Sequence, residues 1–470
     1  MNILQIEDEV EWFEETVKPL LLDIGANKIF HEDSYDGAIQ SLNTNHIDYV
    51  VLDLAIPLNL ENPVPDVSNG LRLASYIRKK YAGTPILILT GQQAEEAVEQ
   101  FVEDQEMETF WDGTRKSLVK VRPKRRVNEA ITLLAEAVKE LNAIDAIEIQ
   151  ETGCELNCLE KRVIRIFCKE NSAIAARVKT LNDGLSSAKV LQVSLIGNQG
   201  QDLPWTSLVK IDTKQNIDKE SNNFRGYVNK LPIASYPNIL NEYVAGCADK
   251  KGICYRFATH YEKNYFSYLM TNEKDTLIIL ERLKEILGIW SNNKEVKQVS
   301  VGVIRSLICP EHKFEKLIDI RHRLGLDEFE KKILNANYSI QHADLHGLNI
   351  LVSEDLRPIL IDYGDIKLAP SVLDIVTLEL SQYFHPHLKE QRESGLELFE
   401  NWFNNDNFLL LNQFSEVAKF LREWKTENCF MEREYVATVY AYALRQLTYD
   451  EGPHVEIANK LIEMSIAAYK

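Results

Sequence analysis

The chain has 470 residues and a formal net charge of −18, from 53 basic and 71 acidic side chains. Hydrophobic residues make up 45% and charged residues 26%, which is typical of globular proteins and excludes collagen-like or largely disordered chains. At about 150 residues per domain, the length predicts about three folding units. The acidic balance disfavours general nucleic-acid binding, because an acidic surface repels a polyanion.

The sequence pattern predicts neither a membrane-spanning helix nor a secretory signal peptide. No apolar run approaches the ~20 residues that a membrane-spanning helix requires. The N-terminus meets acidic residues at Glu7, Asp8 and Glu9, unlike a secretory signal. The seven cysteines are an odd number spread over a long chain, which favours reduced thiols. The sequence therefore predicts a cytoplasmic protein.

Apolar runs alternate with helical patterns over the first 140 residues. Each run is almost continuously apolar, which predicts a parallel sheet covered by helices on both faces. The main runs are 3–6, 49–54, 85–89 and 117–121, and the last helical pattern covers 127–141.

Polar residues lie at the ends of these predicted strands. Glu7 and Asp8 follow the first run, Asp53 lies within the second, and Thr90 follows the third. In an open α/β sheet the carboxyl ends of the strands form the edge where ligands bind. Clustered carboxylates require a hard cation, and oxygen ligands suit Mg²⁺. With the Thr90 hydroxyl and a lysine ammonium, this edge would form a site for a phosphoryl group on Asp53.

The segments IEDE, VVLDLAIP and ILILTG make residues 1–142 resemble a response-regulator receiver domain. This resemblance implies that Asp53 is the phosphoacceptor, that Glu7 and Asp8 hold Mg²⁺ with it, and that Thr90 is the switch hydroxyl. It also implies a phosphodonor, either a sensor histidine kinase or a small molecule.

The receiver family also has a lysine at the last strand, which the segment SLVKVRP resembles. Lys120 fits that position best, and Lys116 is the alternative. Residues 143–158 show no clear periodicity and are predicted to be a linker or a short connecting helix.

From residue 159 the pattern changes to a helix followed by strands. Two predicted strands flank a turn of small residues that contains Gly184, Ser186 and Ser187. Such a turn can bring backbone N–H groups to a phosphate, although most turns of this kind are ordinary hairpins.

The next predicted strand, SLVKI, contains Lys210, and Glu220 lies on the inward face of the helix that follows. A lysine in a buried strand requires an anionic partner. A phosphate and a helix glutamate would supply one, and a structural ion pair or two exposed charges are the alternatives.

A stronger motif lies downstream, where residues 342–349 read HADLHGLN and a strand pattern leads to DYGD at 362–365. The first segment has the H-x-D-x-x-x-x-N form of a kinase catalytic loop. Phosphoryl transfer requires a carboxylate at the acceptor, and an amide with a second carboxylate to hold Mg²⁺. Asp344, Asn349 and Asp362 would supply these three groups.

The segments HADLHGLNILV, LAPSVLDI, GLSSAKVLQV and SLVKI make residues 159–470 resemble the aminoglycoside/choline-kinase branch of the kinase superfamily. The resemblance implies ATP and Mg²⁺ as cofactors, a nucleotide lobe at 159–256 and a catalytic lobe at 257–470. It implies that Asp374 braces the catalytic loop, that His342 and His346 organise it, and that Asp344 is catalytic.

Together these observations predict a multi-domain α/β and α+β protein. Its doubly wound, parallel, five-stranded receiver sheet is followed by a bilobal protein-kinase-like fold. The predicted function is receiver-regulated, ATP-dependent transfer of the γ-phosphoryl group to a hydroxyl of an unknown small molecule or protein. The alternative is a nucleotide-sensing, kinase-like binding module or pseudokinase that signals to a partner protein. The acceptor, the sensor kinase and the oligomeric state, a homo-oligomer included, are left open.

Overall fold

The computed structural model describes residues 1–91, 107–181, 188–257, 261, 263–391, 395–449 and 454–469. The predicted phosphate turn, with Gly184, Ser186 and Ser187, lies outside these residues. The chain forms two compact units, the first comprising 1–218 with 238–258 and the second 219–237 with 259–470.

The elements follow in chain order. The strands are β1 (Asn2–Ile6), β2 (Lys28–Glu32), β3 (Tyr49–Asp53), β4 (Ile86–Thr90), β5 (Met107–Thr109), β6 (Arg115–Ser117), β7 (Val119–Pro123), β8 (Glu148–Thr152), β9 (Ala175–Thr180), β10 (Lys189–Ile196), β11 (Asp202–Thr213), β12 (Ile239–Tyr243), β13 (Lys250–Phe257), β14 (Lys263–Asn264), β15 (Glu295–Ser300), β16 (Ile333–Gln341), β17 (Ile350–Val352), β18 (Pro358–Leu360) and β19 (Lys367–Pro370). The helices are α1 (Val10–Trp12), which continues through a π turn (Phe13–Val17) into α2 (Lys18–Asp23), α3 (Tyr35–Thr44), α4 (Val67–Lys80), α5 (Val127–Asp145), α6 (Cys158–Glu170), α7 (Lys214–Gly226), α8 (Tyr265–Leu269), α9 (Glu273–Ser291), α10 (Val301–Ile308), α11 (Glu311–Phe314), α12 (Ile318–Leu324), α13 (Leu326–Glu330), α14 (Leu373–Phe384), α15 (Leu396–Glu400), α16 (Asn405–Leu411), α17 (Ser415–Asn428), α18 (Glu432–Gln446) and α19 (His454–Ala468).

Five parallel strands form the first sheet, in the order β2-β1-β3-β4-β7. Successive residues of a strand enter different cores, because side chains alternate between the two faces of a sheet. Val51 packs in the core that contains α5, whereas Val50 and Leu52 pack in the core that contains α3 and α4. Both faces are covered, which confirms the predicted doubly wound receiver sheet.

A second sheet of six strands has the order β12-β13-β11-β10-β9-β8 and is antiparallel except for the β8–β9 pair. The predicted linker at 143–158 is wrong over much of its length: 143–145 complete α5, and 148–152 form β8. Side chains along β8 alternate between exposed and half-buried. An edge strand is ordered by backbone pairing on one side, so its sequence carries little hydrophobic periodicity.

One hydrophobic core joins the receiver sheet to the six-stranded sheet. Leu134 and Leu141 of α5, Phe167 of α6 and Val193 of β10 are buried in the same cluster. Trp111, between β5 and β6, is fully buried in it as well. The receiver and the six-stranded sheet therefore share a core within one folding unit.

A buried ion pair accompanies this shared core. Arg162 of α6 donates hydrogen bonds through Nη1 to Asp48 Oδ1 at 2.6 Å and to the Gly246 carbonyl at 3.0 Å. The side chains of Arg162 and Asp48 are 8% and 7% exposed. Backbone bonds join the same surfaces, from the Gly83 amide to the Ala248 carbonyl at 2.8 Å and from the Gly246 amide to the Gly83 carbonyl at 2.6 Å.

We expect Arg162→Met to lower the free energy of unfolding of the first unit by about 3 kcal/mol, because it leaves the Asp48 carboxylate buried without its cation. Denaturant titration of the full chain measures this loss. The control is Arg165→Met on the same helix, whose ion pair with Asp145 is more exposed and should contribute less than about 1 kcal/mol. In the Asp48→Asn/Arg162→Met double variant the loss should be smaller than the sum of the single losses; strict additivity would contradict the pairing.

The second unit has two three-stranded antiparallel sheets, β14-β17-β18 and β15-β16-β19, and most of the helices. All residues of α14 are buried, and α14 and α18 contribute to one hydrophobic core. This mixed-sheet and helical architecture confirms the predicted kinase-like fold. None of the described helices combines the length and apolarity needed to cross a membrane.

Candidate functional sites

Three carboxylates meet at the carboxyl edge of the receiver sheet. Glu7, Asp8 and Asp53 each offer an oxygen, and these atoms lie within 4.8 Å of one another. The parallel register of Ile6 with Leu52 aligns the ends of β1 and β3. Burial raises the pKa of Glu7 to about 7, and its Oε2 atom is buried without a hydrogen bond among the described residues. An unpartnered buried carboxylate oxygen beside two further carboxylates fits a hard cation such as Mg²⁺.

Lys124 completes this cluster. Its Nζ atom lies 2.8 Å from Glu7 Oε1 and 2.7 Å from Asp53 Oδ2. Burial alone would lower the pKa of Lys124, but the hydrogen bonds with Asp53 and Glu7 raise it. Thr90, the predicted switch hydroxyl, is buried at the end of β4 and pairs with Pro123 at the end of β7. Lys124 is therefore the first residue beyond the edge of the sheet.

The prediction that Lys120 or Lys116 reaches the carboxylates is wrong. Lys120 pairs with Leu87 inside the sheet, and burial lowers its pKa. Lys116 forms ion pairs with Asp112 at 2.7 Å and Glu140 at 2.8 Å. The physical reason is register: only the alignment of β7 with β4 determines which lysine of this basic segment follows the strand end.

We expect Lys124→Met to lower the rate of Asp53 phosphorylation by small phosphodonors by roughly 10²-fold, since a donor to the transferring group is lost. Incorporation of label from acetyl phosphate into the full chain measures this rate. The matched control is Lys120→Met, which should leave the rate close to that of the wild type. A large loss of rate in Lys120→Met with little loss in Lys124→Met would show that Lys120, and not Lys124, assists phosphorylation of Asp53.

The kinase-like motif follows β16 and is fixed by buried hydrogen bonds. The Asp374 carboxylate accepts bonds from the backbone N–H groups of His342 and Ala343, both at 2.8 Å. The Asp374 amide donates to Gln341 Oε1 at 3.0 Å. His342 Nε2 lies 3.1 Å from the Ile361 carbonyl. These contacts hold the loop against α14 and against the segment that leads to Asp362.

Two non-glycine residues of the motif have left-handed backbones, Ala343 with φ 64° and Asp362 with φ 66°. This conformation costs about 1–2 kcal/mol for a residue with a Cβ atom. Such strain persists only where the surroundings fix the backbone, and it concentrates at functional sites. The bonds from Asp374 supply that fixation at Ala343.

Asn349 is buried, and its Nδ2 atom donates to the Asp344 carbonyl at 2.9 Å. This bond orients the side chain and leaves the amide oxygen to act as a ligand. An amide oxygen and the carboxylate of Asp362 are donors of the kind that Mg²⁺ prefers. Asn349 and Asp362 would therefore hold the metal in this part of the chain.

The Asp344 carboxylate has two basic neighbours. Arg445 Nη2 donates to its Oδ1 atom at 3.0 Å, and His346 Nε2 lies 3.6 Å from its Oδ2 atom. Burial alone would raise the pKa of Asp344, but the charge of Arg445 lowers it. Burial lowers the pKa of His346. Asp344 is therefore a carboxylate at neutral pH and can accept a hydrogen bond from a hydroxyl.

Sequence reasoning missed Arg445 because it lies on α18, 101 residues beyond Asp344. It also missed Asn223 of α7, whose Nδ2 atom donates to the carbonyls of Tyr363 at 2.8 Å and Gly364 at 3.2 Å. Neither residue belongs to a local motif that could have revealed it.

Lys210 and Glu220 are both buried. Lys210 lies in β11, where it pairs with Val190 and Ile253, and belongs to the first unit. Glu220 lies on α7 in the second unit. Their predicted role at the nucleotide stays a prediction.

No protein-family model matches the sequence, and no curated protein matches it. Among solved structures, aminoglycoside phosphotransferase APH(4)-Ia is similar to the chain at 10% identity and a TM-score of 0.37, over 65% of this chain and 98% of that one. A thermostable mutant of the same enzyme, in a ternary complex with ADP and hygromycin B, is similar at 9% identity and a TM-score of 0.37, over 62% and 93%. The REC domain of AraT, a response regulator from Geobacillus stearothermophilus, is similar at 16% identity and a TM-score of 0.22, over 30% and 97%.

The sheets and helices of the two units define the class of protein. The chain joins a receiver-like, five-stranded parallel sheet to a mixed-sheet and helical, kinase-like fold.

Proposed function

We propose that this chain is an ATP-dependent phosphotransferase that acts on a hydroxyl group and is regulated by phosphorylation of Asp53. The observation that carries the proposal is the catalytic loop. Its backbone is held by Asp374, its Asp344 carboxylate is 25% exposed, and its Asn349 amide is oriented by the backbone of Asp344.

In this proposal Asp344 binds the acceptor hydroxyl and takes its proton as the hydroxyl oxygen bonds to the γ-phosphorus and the bond to ADP breaks. Mg²⁺, held by Asn349 and Asp362, would neutralise charge on the phosphates. Lys210, as the resemblance to the aminoglycoside/choline-kinase branch implies, would bind the α- and β-phosphates of ATP.

The receiver part would take a phosphoryl group on Asp53 from a sensor histidine kinase or a small phosphodonor. Glu7 and Asp8 would hold Mg²⁺ with Asp53, and Lys124 would pair with the phosphoryl oxygens. The core shared by α5 and α6 supports the regulatory part of the proposal. A change in the receiver sheet has a continuous, close-packed path to the strand that carries Lys210.

The test uses the full chain with Mg²⁺ and ATP labelled at the γ-phosphate. ADP formation should depend on Mg²⁺, and its rate should change once acetyl phosphate has phosphorylated Asp53. When an acceptor is present, the labelled phosphoryl group should appear as a phosphate ester of the acceptor's hydroxyl group. A chain that binds Mg·ATP without turnover under any of these conditions would contradict the phosphotransferase and favour the nucleotide-binding module.

A further inference from the structure

Several basic side chains of the second unit lie in the surroundings of Asp344, the proposed catalytic aspartate. Arg445 bonds to the Asp344 carboxylate at 3.0 Å. Lys367, at the start of β19, interacts electrostatically with Asp344 and with Arg445. Lys219 forms an ion pair with Asp365 at 3.1 Å. Positive charge on two separate elements, α18 and β19, therefore interacts with this carboxylate, and Lys219 of α7 pairs with the nearby Asp365.

A fourth cation belongs to the same surroundings. Lys313 Nζ lies 5.2 Å from the centre of the Tyr449 ring, and the Tyr449 hydroxyl accepts a hydrogen bond from Arg445 Nε at 3.1 Å. Among the described residues, Asp344 interacts with Arg445, and Asp365 interacts with Lys219, Lys367 and Arg445. In the proposed function the Asp344 carboxylate binds the acceptor hydroxyl, so Arg445 lies next to the bound acceptor.

Within the part of the chain that the structure describes, Arg445 forms hydrogen bonds through two of its three guanidinium nitrogens. Nε bonds to Tyr449 and Nη2 to Asp344, whereas Nη1 makes no hydrogen bond to a described residue. The side chains of Arg445 and Asp344 are 21% and 25% exposed. A planar guanidinium with spare donors matches the paired oxygens of a carboxylate or a phosphate.

We propose that the acceptor carries an anionic group, a carboxylate or a phosphate, that binds Arg445 next to the hydroxyl that Asp344 serves. This inference rests on the proposed function and adds the chemical class of the substrate. An acceptor with ammonium groups near its reactive hydroxyl would meet Arg445 and Lys367 as like charges, which repel most strongly where water is partly excluded.

The test compares four small probes that share a three-carbon skeleton: glycerol, glycerate, glycerol 3-phosphate and 3-amino-1,2-propanediol. Their binding to the full chain is measured by calorimetry with Mg²⁺ and a non-hydrolysable ATP analogue present. Glycerate or glycerol 3-phosphate should bind roughly tenfold more tightly than glycerol, and the amine should bind more weakly than glycerol. The carboxylate and phosphate arms separate the two sources of the anionic group.

Arg445→Gln should remove the preference for anionic over neutral probes, and Arg445→Lys should keep part of it. Arg323→Gln is the matched control, since Arg323 is exposed and bonds to Asn459 on α19. The ratio between anionic and neutral probes cancels any general effect of the variants on Asp344. A ratio near one in the wild type, or an undiminished ratio in Arg445→Gln, would overturn the inference.

Turnover measurements distinguish a failure of the anionic-acceptor inference from a failure of the proposed phosphotransferase function on which it rests. Absence of Mg·ATP turnover would overturn the phosphotransferase, whereas the probe ratios would still report whether Arg445 binds anions. Turnover that favours the amine over glycerate would overturn the anionic acceptor and leave the phosphotransferase standing.

Discussion

Asp344→Asn is expected to lower phosphoryl transfer by roughly 10²–10⁴-fold, the usual contribution of general acid–base assistance. The substitution keeps the size of the side chain but removes the carboxylate that accepts the proton of the acceptor hydroxyl. Because Asp344 acts on the acceptor and the metal is assigned to Asn349 and Asp362, the affinity for Mg·ATP should change by no more than about fivefold. Calorimetry of nucleotide binding beside the rate of ADP formation measures both quantities.

The control for this variant is Asp355→Asn. Asp355 is also paired with an arginine, Arg357 at 2.7 Å, but it lies in the turn between β17 and β18 and is exposed. Its loss should leave turnover unchanged. Unchanged turnover in Asp344→Asn itself would remove Asp344 from the catalytic role, and the nucleotide-sensing binding module would become the better explanation.

Asp53→Asn should abolish incorporation of phosphate from acetyl phosphate, because an amide cannot form the acyl phosphate that a carboxylate forms. The full chain is used because the receiver sheet shares its core with the six-stranded sheet. Label in the intact protein, located by peptide mapping, is the measurement.

Asp36→Asn is the matched control for Asp53→Asn. Asp36 is an exposed receiver aspartate on α3 that accepts a hydrogen bond from Asn59 at 2.8 Å. Incorporation should persist in this variant at the wild-type level. Label that persists in Asp53→Asn would show that another residue is the phosphoacceptor.

The local sequence pattern was enough to predict site residues whose function depends on their position along one strand or one loop. Buried parallel strands are nearly continuous apolar runs, and their carboxyl ends meet at one edge. This is why Glu7, Asp8 and Asp53 could be grouped from the sequence, and the structure brings their oxygens together. The spacing of HADLHGLN likewise places Asp344 and Asn349 on one short loop, where the amide of Asn349 contacts the backbone of Asp344.

Local pattern failed where the outcome depends on register. Three lysines, Lys116, Lys120 and Lys124, lie in one basic segment. A shift of a few residues along β7 exchanges a lysine inside the sheet for one at its edge. The pairing of Thr90 with Pro123 selects Lys124, and that pairing is set by contacts between strands that are distant in sequence.

The sequence by itself determined the main alternating strands and helices of the receiver, the carboxylates of the receiver edge and the catalytic-loop motif, because each depends on hydrophobic periodicity or short spacing. Only the tertiary structure decided the shared core, the Asp48–Arg162 pair and the contact of Arg445 with Asp344. These features join residues roughly a hundred positions apart or more, or surfaces that become neighbours only when sheets pack. Their free energy comes from burial and from ion pairing in a region of low dielectric constant, which no single segment of the chain can provide.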